Sequence, residues 1–308
     1  MSTVTVGETV KVVYIAGASR SGSTLLDMLL GQLPSHFAAG ELKYFGGRNL
    51  RRNRPCGCGR AFYDCPVWKA IMKTGNLSSE DSSHFERLDK RLRLRSVWWP
   101  SHSAFQRGAG EDGPTAAKLA DLYGAIKHAT GCDYVIDSSK VPAYGYFLGT
   151  LPTIDLYVVH LVRDARAVAY SWTRAKPLPG LEGRSMPTMS PFEAAFRWNT
   201  ENAMTEALWG QSPQKYRRVR YEDLVADPSA ALRGVLEMIG DRTHDFPFVG
   251  EDSVRLRTVH TASGNPDRFR RGSIPLRLDD EWRSLMPKRH RLLVSALTKP
   301  LLNRYGYS

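Results

Sequence analysis

The run VVYIAGASRSGSTLL, Val12 to Leu26, limits what this chain can fold into more than any other stretch. An apolar strand pattern over Val12–Ala16 breaks at a glycine-rich turn, and an apolar helical pattern starts directly after it. Gly17 and Gly22 bracket four residues. That spacing lets the backbone close around an anion, with successive amides and the positive end of the following helix aimed at it. It is the spacing of a nucleotide P-loop, with one departure: where G-x-x-x-x-G-K-[ST] places the lysine that reaches the β/γ-phosphates, this chain has Ser23. The loop carries Arg20 instead, whose planar guanidinium grips two oxygens at once. A phosphorylated donor other than ATP fits these residues. Taken alone, they also fit a plain strand-to-helix turn.

Strand and helix patterns alternate along the rest of the chain. Strands are expected at His36–Ala39, Asp133–Asp137, Ile154–Val162 and Tyr216–Arg220. Helices are expected at Thr24–Gln32, Pro66–Lys73, Thr115–Ala129, Asp164–Arg174, Pro191–Trp209 and Pro228–Ile239. Short apolar strands alternating with helices predict an α/β fold, a P-loop-like parallel sheet flanked by helices on both faces, with ligands bound beyond the C-terminal strand ends. A length of 308 residues with 42% hydrophobic content suits a single domain over residues 1–308. Loop-rich interruptions include a Cys-rich insertion near 48–66 and a lid near 176–190.

The net charge of +12 implies attraction to something anionic without choosing among nucleotide, acidic acceptor, membrane surface and nucleic acid. The basic run Arg87–Arg95 reads first as a solvated helix face. No apolar run is long enough to span a membrane and no signal-peptide core opens the chain, so a cytoplasmic protein without a membrane anchor is expected. Cys56, Cys58 and Cys65 lie close together and Cys132 far off. The three thiols are open to three readings: reduced packing, a disulfide, or zinc if a fourth ligand such as His84 comes near. No metal is assigned.

A second chemical segment is LVRDARAVAYSW, where a strand ends at Arg163 and Ser171 follows two helical turns later. A phosphate can be held between such a cation and hydroxyl. Singly, Arg163 also reads as an ion-pair partner of Asp164 or Asp223, and Ser171 as a helix-face hydroxyl. Together with VRYEDLVADP (Val219–Pro228) and GNPDRFRRG (Gly264–Gly272), these motifs resemble those of sulfotransferases that use 3′-phosphoadenosine 5′-phosphosulfate (PAPS). The resemblance implies that Arg20 and the backbone of Ser21, Gly22, Ser23 and Thr24 bind the 5′-phosphosulfate. It further implies that Arg163 and Ser171 bind the 3′-phosphate, joined by Arg270, Arg271 and Gly272, with Tyr221 near the nucleoside.

Gly40 and Glu41 match the position of the catalytic base in the branch of the family that sulfates protein tyrosines. Such a base removes the proton of an acceptor hydroxyl, and partial burial raises its pKa toward a useful range. The alternative for Glu41 is an ion pair with Lys43 or Arg20, and His36 is the fallback base. Lys140 resembles a lysine that steadies the bridging oxygen of the leaving phosphate; otherwise it pairs with Asp137. Ser138 and Ser139 read as a helix cap rather than nucleophiles. The resemblance implies direct in-line transfer of a sulfuryl group to a hydroxyl, releasing adenosine 3′,5′-bisphosphate, without a metal. Two rivals are a P-loop kinase or other phosphotransferase, opposed by Ser23, and a basic nucleic-acid-binding protein, for which no reader motif is present. Small-molecule, lipid, glycan and peptide hydroxyls all fit as acceptor, and aromatic and Met residues in Ser96–Phe105 and Leu178–Phe192 are candidate lining for its pocket. Nothing in the sequence selects an oligomeric state.

Overall fold

An almost uninterrupted apolar strand needs a neighbour on each side, and β1 (Val10–Ala16) has both. In the computed structural model, which describes residues 9–92, 113–175 and 185–308, it is the middle strand of a mostly parallel five-stranded sheet. The other strands are β2 (His36–Gly40), β3 (Tyr134–Lys140), β4 (Ile154–Val162) and β5 (Tyr216–Arg220), in the order β2-β3-β1-β4-β5. A small second sheet pairs β6 (Ser253–Leu256) with β7 (Gly272–Pro275). The flanking helices are α1 (Ser23–Leu30), α2 (Pro66–Thr74), α3 (Ser82–Arg91), α4 (Gly113–Thr130), α5 (Pro142–Gly149) and α6 (Ala165–Thr173). They continue with α7 (Pro191–Trp209), α8 (Tyr221–Ala226), α9 (Pro228–Ile239), α10 (Trp282–Leu285) and α11 (Lys288–Arg304). The α/β class expected from the alternating patterns is the class observed. No described helix is long and apolar enough to cross a membrane.

The described residues form two compact units. Of the described residues, the first comprises 9–15, 24–92, 113–158 and 256–272; the second comprises 16–23, 159–175, 185–255 and 273–308. In the first, Phe45 packs edge-on against Phe62 and Phe85 and tilted against Trp68, all four buried. The Cys-rich segment therefore contributes core: Phe62 and Cys65 are fully buried, and α2 starts directly after Cys65 with Pro66 in its first turn. In the second unit, Trp172, Trp198, Trp282, Tyr305, Val294 and Leu302 share one apolar cluster.

Parallel pairing of β2 with β3 sets Gly40 opposite Asp137, with an irregularity between Ala38 and Gly40. Glu41, following Gly40, thus emerges beside the last residues of β3 at the C-terminal edge of the sheet. The strand expected to end at Asp137 runs on to Lys140, because its polar residues find partners there. Asp137 accepts hydrogen bonds from Ser139 N (2.8 Å), Ser139 Oγ (2.5 Å) and Tyr123 Oη. Ser138 and Ser139 are accordingly buried strand residues, and the residue preceding α5 at its cap is Val141. Residues 93–112 and 176–184, which include Ser96–Phe105, the end of the basic run and most of the expected lid, lie outside the described residues.

Candidate functional site

The loop lies in the second unit, and its two glycines are sterically required. Gly17 (φ 124°) and Gly22 (φ 90°) both occupy the left-handed region. A Cβ on Gly17 would meet Leu161 O at 2.4 Å, and one on Gly22 would meet Tyr221 Cδ2 at 2.4 Å. Arg20 adopts φ 72°, a conformation that costs a non-glycine residue about 1–3 kcal/mol and gathers at functional sites. Its guanidinium stands 4.8 Å from the Trp172 ring centroid, and Nη1 donates to Met186 Sδ at 3.2 Å. Ser21 and Ser23 are buried, and Ser21 Oγ has no hydrogen-bond partner among the described residues.

Arg163 joins this cluster directly. Its Nη1 donates to Arg20 O (3.2 Å), and its guanidinium sits 4.5 Å from the centroid of the Tyr221 ring that fills the space beside Gly22. Its acidic partner is Asp279 (Nη2–Oδ2 3.1 Å), where the sequence pointed to Asp164 or Asp223. Asp164 instead caps α6 and pairs with Arg166. Ser171 is buried on α6. Arg20, Ser21, Gly22, Ser23, Arg163, Ser171 and Tyr221 thus all belong to the second unit, with Arg163 and Tyr221 packed on the loop.

The first unit holds Glu41 and Lys140 at neighbouring strand ends. Lys140 Nζ donates to Glu41 Oε1 at 2.5 Å and to Ser138 O at 2.8 Å. Arg48 Nη1 donates to Glu41 Oε2 at 2.8 Å from a π-helical turn, Phe45–Leu50, and its guanidinium lies 3.9 Å from the Tyr44 ring centroid. Burial would raise the Glu41 pKa, but Lys140 and Arg48 outweigh it and hold the carboxyl at about 2. The expectation that burial tunes Glu41 upward is therefore reversed, since two cations grip it. Its partners are Lys140 and Arg48 rather than Lys43 or Arg20. Lys140 itself has φ 71°, a second strained cation at a strand end.

Two buried acids stand beside this pair: Asp27, which the sequence did not single out, and Asp137, named there only as an alternative partner of Lys140. Asp27, on α1, is pushed well above the usual carboxylate range by burial and by Asp137. Asp137 is raised by burial to about 6. His36, the fallback base, opens β2 at its N-terminal end, where Nδ1 bonds Pro34 O (2.7 Å) and the ring stacks on Tyr134. A strand of this length puts it roughly 15 Å from the end that Glu41 follows. Arg270, Arg271 and Gly272 belong to this first unit with Thr24, and both arginines are exposed. Arg48 and Asp279 also escaped notice. Neither lies in a recognisable motif, and Arg48 was hidden in a stretch read as loop.

The model of the sulfotransferase family matches residues 13–245, well over half of the sequence. The chain belongs to the sulfotransferase family. It is an enzyme that transfers a sulfuryl group, which calls for PAPS as donor and a hydroxyl-bearing acceptor. Among solved structures, this sulfotransferase is similar to the sulfotransferase domain of the Synechococcus PCC 7002 olefin synthase, at 21% identity and TM-score 0.57, over 100% of this chain and 99% of that one. The sulfotransferase domain from the curacin biosynthetic pathway follows at 18% identity and TM-score 0.54, over 98% and 99%. STF9 of Mycobacterium avium follows at 13% identity and TM-score 0.50, over 99% and 79%. These likenesses concern the fold. No protein of curated function matches the sulfotransferase in sequence.

Proposed function

We propose that residues 1–308 form one sulfotransferase domain that moves the sulfuryl group of PAPS directly to an acceptor hydroxyl, with Glu41 as base and Lys140 on the leaving group. The observation that carries this reading is the bracketing of the buried Glu41 carboxylate by Lys140 and Arg48. A carboxylate held near pKa 2 is a weak base at rest. When the phosphosulfate draws Lys140 toward its bridging oxygen, Glu41 loses its nearest positive charge and gains basicity as the acceptor arrives. The acceptor oxygen then forms its bond to sulfur, its proton passes to Glu41, and the sulfur–oxygen bond to phosphate breaks. The electron pair leaves on the 5′-phosphate of adenosine 3′,5′-bisphosphate.

In the same reading, Arg20 and the amides of Ser21 to Thr24 hold the phosphosulfate, and Arg163 and Ser171 hold the 3′-phosphate. Arg163 already spans the loop carbonyl and Asp279, so it is fixed in place before a phosphate arrives. Arg270, Arg271 and Gly272 add to the 3′-phosphate contact, and Tyr221 packs against the nucleoside. The transfer step draws its charge stabilisation from Arg20 and Lys140 rather than from a metal.

The test is transfer of labelled sulfate from PAPS across a panel of phenols, alcohols, sugars and hydroxylated lipids. Wild type labels at least one class while Glu41→Gln labels none above background and still binds adenosine 3′,5′-bisphosphate. Equal labelling by wild type and Glu41→Gln contradicts the role given to Glu41.

A further inference from the structure

We propose that Cys56, Cys58, Cys65 and His260 form a structural zinc site. Their ligand atoms, three Sγ and one imidazole nitrogen, all lie within 4.8 Å of one another, although His260 is remote from the cysteines in sequence. His260 Nδ1 stands 3.2 Å from Cys65 Sγ and 3.8 Å from Cys56 Sγ. Ligands on a tetrahedral shell with Zn–S of about 2.3 Å and Zn–N of about 2.0–2.1 Å are separated by roughly 3.5–3.8 Å, so only small side-chain shifts seat the ion. All four cysteines of the chain are free thiols. The sequence offered His84 as a fourth ligand; the fold supplies His260.

Cys65 sits at the cap position of α2, and Cys58 N donates to Cys56 Sγ at 3.5 Å. His260 is fixed from behind, since its carbonyl accepts from Trp68 Nε1 at 2.7 Å. Zinc displaces three thiol protons, so the centre carries one net negative charge. Two arginines stand ready for it. Arg268 donates to Pro55 O (2.9 Å), one residue before Cys56, and Arg271 donates to Gly57 O (3.3 Å), between Cys56 and Cys58. Three sulfurs and one nitrogen without a carboxylate select zinc over magnesium or calcium, and four protein ligands leave no open position for catalysis.

The site has a mechanical consequence. The segment after His260 lies along the end of β2: Ala262 N bonds Ala39 O (2.8 Å), Glu41 N bonds Ser263 O (3.0 Å), and Gly57 N bonds Thr261 O (2.9 Å). Zinc therefore pins together the Cys-rich segment and the strand-like stretch that holds the backbone of Glu41.

The test is metal content of the full chain, purified reduced and without chelator, by inductively coupled plasma mass spectrometry. Wild type carries one zinc per chain. Cys58→Ser and His260→Ala, at the two less buried ligands, bind zinc more weakly by a larger factor than the roughly 10- to 100-fold cost of losing an outer-shell partner. Cobalt added to metal-stripped wild type gives the intense visible bands of a tetrahedral thiolate centre, a readout independent of whether the variants fold. Wild type without stoichiometric zinc and without the cobalt spectrum overturns the proposal, and so does a full zinc equivalent retained by both variants.

Discussion

Lys140 Nζ lies 2.5 Å from Glu41 Oε1, joining the last residue of β3 to the residue that follows β2. The pair exists because the two strands are parallel neighbours, so their C-terminal ends emerge together. Its strength sets the resting state of the carboxylate. In the proposed mechanism a base so firmly ion-paired needs its cation removed, and the phosphosulfate of the donor is the agent that removes it.

Replacing Glu41 by Gln keeps the shape and deletes the base. Turnover falls by ~10²-fold or more, while affinity for adenosine 3′,5′-bisphosphate stays within about twofold of wild type. Steady-state kinetics alongside a binding titration separates the two.

Lys140→Ala removes one preorganised charge from the leaving group, and turnover drops by about 10²–10³-fold. Because Glu41 then loses its closest cation and keeps Arg48, its pKa rises toward the ordinary carboxylate range. The acid limb of the residual pH–rate profile accordingly moves to higher pH than in wild type. An unmoved limb removes Lys140 from control of Glu41.

Gly22→Ala drives a methyl group into the Tyr221 ring at a backbone angle that disfavours any side chain, at an expected cost of about 1–3 kcal/mol. Adding Tyr221→Ala relieves the collision but not the backbone strain. The double variant is therefore more stable than the sum of the two single losses predicts, in a urea-denaturation double-mutant cycle.

His160 is buried between Tyr216 Oη (2.7 Å) and Asn202 Oδ1 (2.9 Å), and burial lowers its pKa from 6.5 to about 4. The unfolded chain takes up this proton first, so the contribution of His160 to stability is complete above pH 6.5. It is lost progressively as pH falls to about 4, amounting to roughly 3 kcal/mol. Asp137 acts in the opposite sense, since burial raises it to about 6 and its contribution declines as pH rises toward that value. Imidazole proton shifts isolate His160: they stay constant from pH 8 to 5.5.

The loop, the sheet class and the residues that pack on the loop were legible because each rests on local pattern: Gly17 and Gly22 at fixed spacing, apolar strands, Arg163 at a strand end. Partnerships were not. Arg48 reaches Glu41 from a π-helical turn that no periodicity announces, Asp279 reaches Arg163 across more than a hundred residues, and His260 completes a cysteine cluster two hundred residues upstream. The end of β3 was misplaced for a physical reason as well. Its polar residues looked like a boundary, whereas Asp137 and Ser139 satisfy one another inside the sheet.

The central claim is that the Arg20 loop and Arg163 serve a 3′-phosphorylated nucleotide. Isothermal titration of the full chain with adenosine 3′,5′-bisphosphate, 5′-AMP and ATP with magnesium tests it most directly. The account predicts that the bisphosphate binds at least tenfold more tightly than either competitor, a difference of about 1.4 kcal/mol, and that Arg163→Ala abolishes the preference. Equal affinity for 5′-AMP, or tighter binding of ATP with magnesium, would contradict it.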